Sequence, residues 1–380
     1  MQNCLFLRDN NFLVLALTES PYEVRYINRF YDQAKDLGIE KNIYFYAYEP
    51  KLLDFLPRSQ IIFDDKLANF VRTKDHKFYE DFLNCALLKE AKAIIPRVVH
   101  PEYLYSSLIC MDKMPEISLG GYGFELFIRS RSRANIVKKI LKLNNISGLL
   151  LHTIGGREAK LPEEILTKEN LPNKIILNTE PLFDSLSKYQ GDKIIARNFL
   201  NLDQNKKLIL FFGSFYPWKG PDILLKAIDC LDYTYKIIFA GNTDTYFGEI
   251  TNFEKKNVFL IDKPTDEIMY KLFHACDVVA CPYGPTYEFS SSSVVMSSIL
   301  SGKASVVPDI EPFVNVINKY KCGEVFNLED SFSLAEAIKK IFENIDNNPN
   351  FYNSKLINFC DSIISWEEIL NFHMNFSSNL

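Results

Sequence analysis

The 380-residue sequence has no long apolar run, no paired-cysteine motif, no net positive charge and few histidines. The longest apolar stretches, such as Leu208–Phe212 and Gly148–Leu151, fall far short of the ~18 residues that span a bilayer. Arg8 and Asp9 interrupt the N-terminus before a signal-peptide core could form, so a cytoplasmic protein is expected. The eight cysteines (Cys4, Cys85, Cys110, Cys230, Cys276, Cys281, Cys322, Cys360) include no CxxC pair, and most sit among apolar residues as buried thiols do, which fits a reducing compartment. A formal net charge of −5 gives no global field to hold a polyanion and argues against a nucleic-acid partner. The five histidines, His76, His100, His152, His274 and His373, show no metal-ligand spacing; His100 and His152 stand out because both close strands. No internal repeat is found, and the Asn-rich turn Asn344–Asn350 is the one low-complexity tract.

What is present suits two ordinary domains. Hydrophobic residues make up 47% and charged residues 24%, enough for a sizeable core. Short β-branched and aromatic runs alternate with segments of helical period, the pattern of parallel strands joined by crossover helices. In the first half, Phe12–Leu17, Asn42–Tyr48 and Gly148–His152 read as strands and Tyr22–Leu37 as a helix stopped by Gly38. In the second half, strands are expected at Lys207–Gly213, Tyr235–Ala240, Asn257–Ile261, Asp277–Cys281 and Ala304–Pro308, with helices at Pro221–Leu231, Asp266–Cys276 and Ser292–Ser301. The stretch around Gly191 is polar and without strand period. The expectation is therefore an α/β protein with an N-terminal domain at 1–185, a linker at 186–206 and a C-terminal domain at 207–355, facing each other across a cleft.

Ligands of open parallel sheets bind where strands end and helices begin. In Gly213-Ser214-Phe215-Tyr216-Pro217-Trp218-Lys219-Gly220, Gly213 permits close approach and Lys219 brings a cation where a phosphate could sit. An ordinary turn with a solvated lysine is the plainer reading. In the second turn, Cys281-Pro282-Tyr283-Gly284-Pro285-Thr286-Tyr287-Glu288-Phe289 leads into Ser290-Ser291-Ser292-Ser293 at a helix start, where hydroxyls and N–H groups suit a diphosphate as well as a helix cap. Ala240-Gly241-Asn242 closes a third strand.

The second half resembles the C-terminal domain of the retaining glycosyltransferases of the GT-B fold, family 4 in particular. The resemblance is carried by Gly213 with Lys219-Gly220, by Ala240-Gly241, by Asn257-Val258-Phe259-Leu260, by Ala275-Cys276-Asp277-Val278-Val279 with Pro282, and by Gly302-Lys303 leading into Ser305-Val306-Val307. It implies two Rossmann-like domains, the first binding the acceptor and the second a nucleoside-diphosphate sugar, with the diphosphate against Gly213, Ser214, Lys219, Gly241, Asn242, Ser291, Ser292 and Ser293. No metal and no cofactor beyond the donor substrate is implied. The ending Ser365-Trp366-Glu367-Glu368-Ile369 is similar to the family's last helix, so residues 356–380 are expected to cross back onto the first domain.

Departures from the family pattern bear on mechanism. The family carries two glutamates eight positions apart; Glu288 can fill the first role, but Met296 or Ser297 stands at the second. Ser214 replaces the family's arginine, leaving Lys219 as the phosphate cation. Where the family has a histidine facing the donor sugar this chain offers Tyr122, and His100 closes Arg97-Val98-Val99-His100. The activity implied is transfer of a hexose from a nucleotide sugar to a hydroxyl of a glycan or glycolipid, as in bacterial polysaccharide synthesis. A non-catalytic sugar-nucleotide binder and an epimerase of the same fold are the alternatives.

Independently of the resemblance, Arg129–Lys142 holds six basic residues, Arg129, Arg131, Arg133, Lys138, Lys139 and Lys142, and no acidic one. With an apolar face at Ile136, Val137, Ile140 and Leu141, the segment suits peripheral contact with an anionic membrane at its inner face, or a solvated helix face packed on the sheet.

Overall fold

The computed structural model describes residues 11–16, 21–47, 56–63, 78–95, 101–110, 117–120, 131–143, 146–152, 154, 175–178, 186–246, 258–288, 290–353, 356–363 and 365–375. The chain divides into two compact units, one of Met1–His152, Leu161–Phe183 and Ile364–Leu380, the other of Thr153–Lys160 and Asp184–Ile363.

The first unit runs β1 (Asn11–Ala16), α1 (Pro21–Asp36), β2 (Ile43–Ala47), β3 (Ile61–Phe63), α2 (Phe78–Leu88), β4 (Ala91–Ile95), α3 (Pro101–Cys110), β5 (Ile117–Gly120), α4 (Arg131–Leu141), β6 (Ile146–His152) and β7 (Ile175–Asn178). The strands form one sheet in the order β3-β2-β1-β4-β5-β6-β7, and every pairing is parallel. Phe12, Leu13, Val14 and Leu15 are buried in succession, as a strand covered on both faces requires. On α1 the buried residues Ile27, Phe30, Tyr31 and Ala34 recur at helical spacing and face that strand's core.

The second unit runs α5 (Lys193–Phe199), β8 (Lys207–Phe212), α6 (Pro221–Ala227), β9 (Tyr235–Gly241), β10 (Val258–Asp262), α7 (Asp266–Ala275), β11 (Val278–Ala280), α8 (Ser293–Leu300), β12 (Ala304–Pro308), α9 (Phe313–Tyr320), β13 (Gly323–Phe326), α10 (Ser331–Asn347) and α11 (Leu356–Asp361). Its parallel sheet has the order β10-β9-β8-β11-β12-β13. The chain therefore builds outward from β8 in one direction and then, from β11, in the other. A sheet wound this way opens a crevice at the carboxyl ends of the two strands where the direction reverses, β8 and β11. The last helix, α12 (Trp366–Asn375), belongs to the first unit, where the fully buried Ile369 and Leu370 join Phe12, Val14 and Phe30.

Residues 186–206, read from sequence as a linker, carry α5 and lie within the second unit. The cause is Arg197, which is 1% exposed. Its guanidinium donates to the carbonyls of Ala275 (2.9 Å), Asp203 (3.2 Å), Gln204 (2.8 Å) and Lys206 (3.1 Å) and to Asp277 Oδ2 (2.8 Å). Asp277 also accepts from Leu208 N at 2.8 Å and pairs with Lys193. The polar composition that suggested a linker is the wiring that fastens this segment to β8 and β11. The expected helix to Leu231 is likewise shorter, α6 giving way to a 3-10 turn at Ile228–Cys230.

Candidate functional site

Three turns converge at the carboxyl end of the second unit's sheet. After β8, Gly213 adopts φ 116, open to glycine but not to side-chain-bearing residues. Its N–H donates to Ala240 O at 2.8 Å, and Phe215 N donates to Asn242 O at 3.2 Å, so the turn is joined to the end of β9. Gly241, at φ 150, lies so near the Gly213 carbonyl that a Cβ would stand 1.7 Å from its oxygen. On the other flank, Pro217–Lys219 form a 3-10 turn ending in Gly220 at φ 69, where a Cβ would stand 1.8 Å from Pro282 O. Gly284 N donates to Trp218 O at 2.8 Å. The turn after β8 is thus held to both neighbouring strand ends.

That clamping aims Lys219 back over the crevice: a Cβ built on Gly213 would stand 2.6 Å from its Nζ. Lys219 has no carboxylate partner among the described residues, and its charge reaches Cys281 at the end of β11. Burial pushes the Cys281 thiol up to about 12, so it stays protonated and is no nucleophile.

The serine run sits at the start of α8. Ser290 and Ser291 are buried, at 0% and 7% exposure. Ser292 is the N-cap, its Oγ accepting from Val295 N at 3.3 Å. The same Oγ lies 2.8 Å from the hydroxyl of Tyr283, a buried ring stacked on Tyr287 at 4.1 Å and 12°. Ser293 opens the first helical turn, whose leading N–H groups have no intrahelical acceptor and carry the positive end of the helix dipole.

Glu288 is exposed and ends the 3-10 turn Pro285–Tyr287, just before that serine run. Ser214 is half-buried directly after Gly213. Asn242 has a local task, its side chain accepting from Asp244 N at 3.1 Å to cap Thr243–Thr245. The structure therefore gathers Gly213, Lys219 and Gly241 by direct contact and puts Glu288 and Ser291–Ser293 on the adjoining strand end. His100 and Tyr122 lie outside the described residues, as does Arg129.

Sequence reasoning missed Tyr283 and Trp218. Their signal was an aromatic after Pro282 and another before Lys219; Tyr283 is buried, whereas Trp218 is 40% exposed and stacks on Tyr216. Other motif residues are structural: Asp277 holds Arg197, and Lys303 Nζ donates to His274 O at 2.9 Å while burial lowers its pKa. Among the described residues no group of three His, Cys, Asp or Glu side chains is placed to hold a metal ion.

Residues 192–355 match the sequence model of the family described as Glycosyl transferases group 1. The D-inositol 3-phosphate glycosyltransferase of Corynebacterium glutamicum (strain R) is 24% identical over 162 residues, covering 39% of this chain and 38% of that protein, so the chain spans well under half of this curated relative. Among solved structures, sucrose-phosphate synthase from Thermosynechococcus elongatus aligns with a TM-score of 0.68 at 13% identity, over 97% of this chain and 98% of that one. Anabaena HepE in complex with UDP-glucose aligns with a TM-score of 0.69 at 14% identity, over 97% and 100%. At this identity the likeness shows the fold: two α/β units with parallel sheets, of the GT-B type.

Proposed function

We propose that this chain transfers a sugar from a nucleoside-diphosphate sugar to a hydroxyl of a glycan or glycolipid acceptor, with retention at the anomeric carbon, in the synthesis of surface polysaccharide or glycoconjugate. The observation that carries the reading is Lys219 held over Gly213 between β8 and β11, inside the segment that matches the glycosyl transferase family. Departure of a diphosphate is helped by fixed positive groups aimed at its oxygens; Lys219 and the first turn of α8 supply them. Glu288 would hold hydroxyls of the donor sugar, and Tyr122 and His100 the acceptor side.

The test is calorimetry and slow hydrolysis with UDP-glucose, GDP-mannose and related donors. Binding with hydrolysis that disappears in Lys219→Ala supports transfer; no binding of any nucleoside diphosphate overturns it. Binding without hydrolysis favours the second reading, a non-catalytic binder, which the half-buried Ser297 in place of a glutamate on α8 supports.

The basic segment extends the proposal to membranes. On α4, Val137, Ile140 and Leu141 are buried while Lys139 and Lys142 at its end are exposed, an arrangement suited to anionic head groups. Arg131 and Arg133 lie on the same helix, their side chains outside the described residues. No helix among the described residues is long and apolar enough to cross a membrane.

A further inference from the structure

The open edge of the second unit's sheet carries a separate pocket of about 480 Å3, walled by α9, β13, α10 and the turn at Phe351–Asn353. β13 is the last strand of the sheet, three positions from β8 and so about 14 Å away at ~4.8 Å per strand. The pocket lies along Gly323, Glu324 and Val325, at the start of that strand, away from the carboxyl ends where Lys219 stands.

Its polar wall is assembled before any ligand arrives. Tyr352 OH donates to Glu324 Oε1 at 2.9 Å, Asn344 Nδ2 donates to Tyr352 OH at 2.7 Å, and Lys340 Nζ donates to Glu324 Oε2 at 2.7 Å. The carboxylate is thereby matched, and what remains is rich in donors. The Lys321 ammonium and the Asn318 amide have no partner among the described residues, and Lys340 keeps two further N–H groups. The carbonyls of Cys322 and Phe326 accept from Ser305 N and Asp309 N on the β12 side, both at 2.9 Å. By the alternation of a strand, the main-chain groups of Gly323 and Val325 turn outward, to the pocket. Phe351, 43% exposed, adds an aromatic surface beside Ile317 and Val325.

Lys321 is one of five non-glycine residues at positive φ among the described residues, with Glu90, Asn201, Lys263 and Glu329. It closes α9 in the left-handed conformation, φ 50 and ψ 44, where glycine is the favoured residue. Its exposed side chain lines the pocket beside the preassembled Glu324–Tyr352 wall.

We propose that this pocket binds a monosaccharide-sized organic anion, its charge on Lys321 and Lys340 and its apolar face on Phe351. The volume falls within the range of small-molecule sites, ~300–1,000 Å3. A phosphate ester and a carboxylate share this chemistry, and the experiment separates them.

The experiment titrates the whole chain with glucose 1-phosphate, glucuronate, neutral glucose and inorganic phosphate, followed by calorimetry and NMR. At least one acidic sugar binds with a dissociation constant of about 1 mM or tighter, and glucose and inorganic phosphate bind about tenfold more weakly or worse. The acidic sugar that binds identifies the anionic group. Lys321→Gly raises the thermal midpoint, because glycine suits the left-handed position, yet weakens that binding about tenfold or more. Lys219→Ala leaves the binding unchanged, which keeps this inference apart from the donor-site reading. The proposal is overturned if neither acidic sugar binds up to about 10 mM, if glucose or inorganic phosphate binds as well, if Lys321→Gly keeps the affinity, or if Lys219→Ala removes it.

Discussion

Lys219 Nζ occupies the space into which a side chain on Gly213 would grow, the ammonium standing 2.6 Å from where that Cβ would be. The two residues are six apart in sequence and are brought together because the intervening turn is clamped to β9 on one flank and to Pro282 and Gly284 on the other.

Replacing Lys219 by Ala is expected to weaken nucleoside-diphosphate binding by about 1.5–3 kcal/mol, the range of a hydrogen bond to a charged group. Calorimetry on the folded variant is the measurement, and unchanged affinity removes Lys219 from the site.

The two glycines should respond differently. Gly241→Ala drives a Cβ into the Gly213 main chain, which cannot yield, and is expected to destabilise by well over about 1 kcal/mol in denaturant unfolding. Gly213→Ala meets the mobile end of Lys219 and should lose less stability, at the expense of donor binding. Equal stability losses would contradict this reading.

If Glu288 bonds hydroxyls of the donor sugar more strongly in the transition state than in the ground state, Glu288→Gln is expected to lower turnover with little effect on nucleotide affinity. An equal loss of affinity for the free nucleoside diphosphate would move Glu288 onto the nucleotide.

His274 is expected to make stability pH-dependent. Its Nε2 donates to Lys188 O at 3.0 Å, and its ring fills the space beside Gly191, where a Cβ would stand 2.2 Å from Nδ1. Burial, then the charges of Lys303 and Lys271, hold its pKa below the ordinary histidine value. The unfolded chain therefore binds more protons, so this contribution is complete above about pH 6.5 and is lost as pH falls toward the folded value. Denaturant midpoints measured downward from about pH 7.5 should fall more steeply in the wild type than in His274→Gln. Parallel profiles would rule out His274 as the source.

Changing Arg131, Lys138 and Lys142 together to Gln is expected to release the protein from anionic vesicles, each charge contributing ~1 kcal/mol at low salt. Wild-type protein that does not sediment with such vesicles would leave the segment a solvated helix face.

Strand and helix positions in the second unit were legible because its strands are short apolar runs bounded by glycine, proline or a capping residue. Thr265 caps the helix expected from Asp266, accepting from Ile268 N at 3.4 Å, and Ala304–Pro308 is the strand expected from its residues. Residues 186–206 were misread because composition does not distinguish polar groups that face water from those that bind main-chain carbonyls; Arg197 is buried because Asp277, far along the chain, is beside it. The open turn at Gly213 and the cation at Lys219 were legible from residue type, whereas the local capping bonds of Asn242 and Ser292 were not, because they depend on how each turn closes.

The sequence by itself determined the alternation of strands and helices that makes an α/β protein, and the residue types at the strand ends, since these follow from local pattern and turn chemistry. Tertiary structure alone decided that β8 and β11 are neighbours and that Gly241 abuts Gly213. It also decided that Tyr283 ties the β11 turn to Ser292, and that Lys321 lies beside the Glu324–Tyr352 wall. Those relations join residues from separate turns and are set by how parallel strands register side by side, a constraint that no local window of sequence contains.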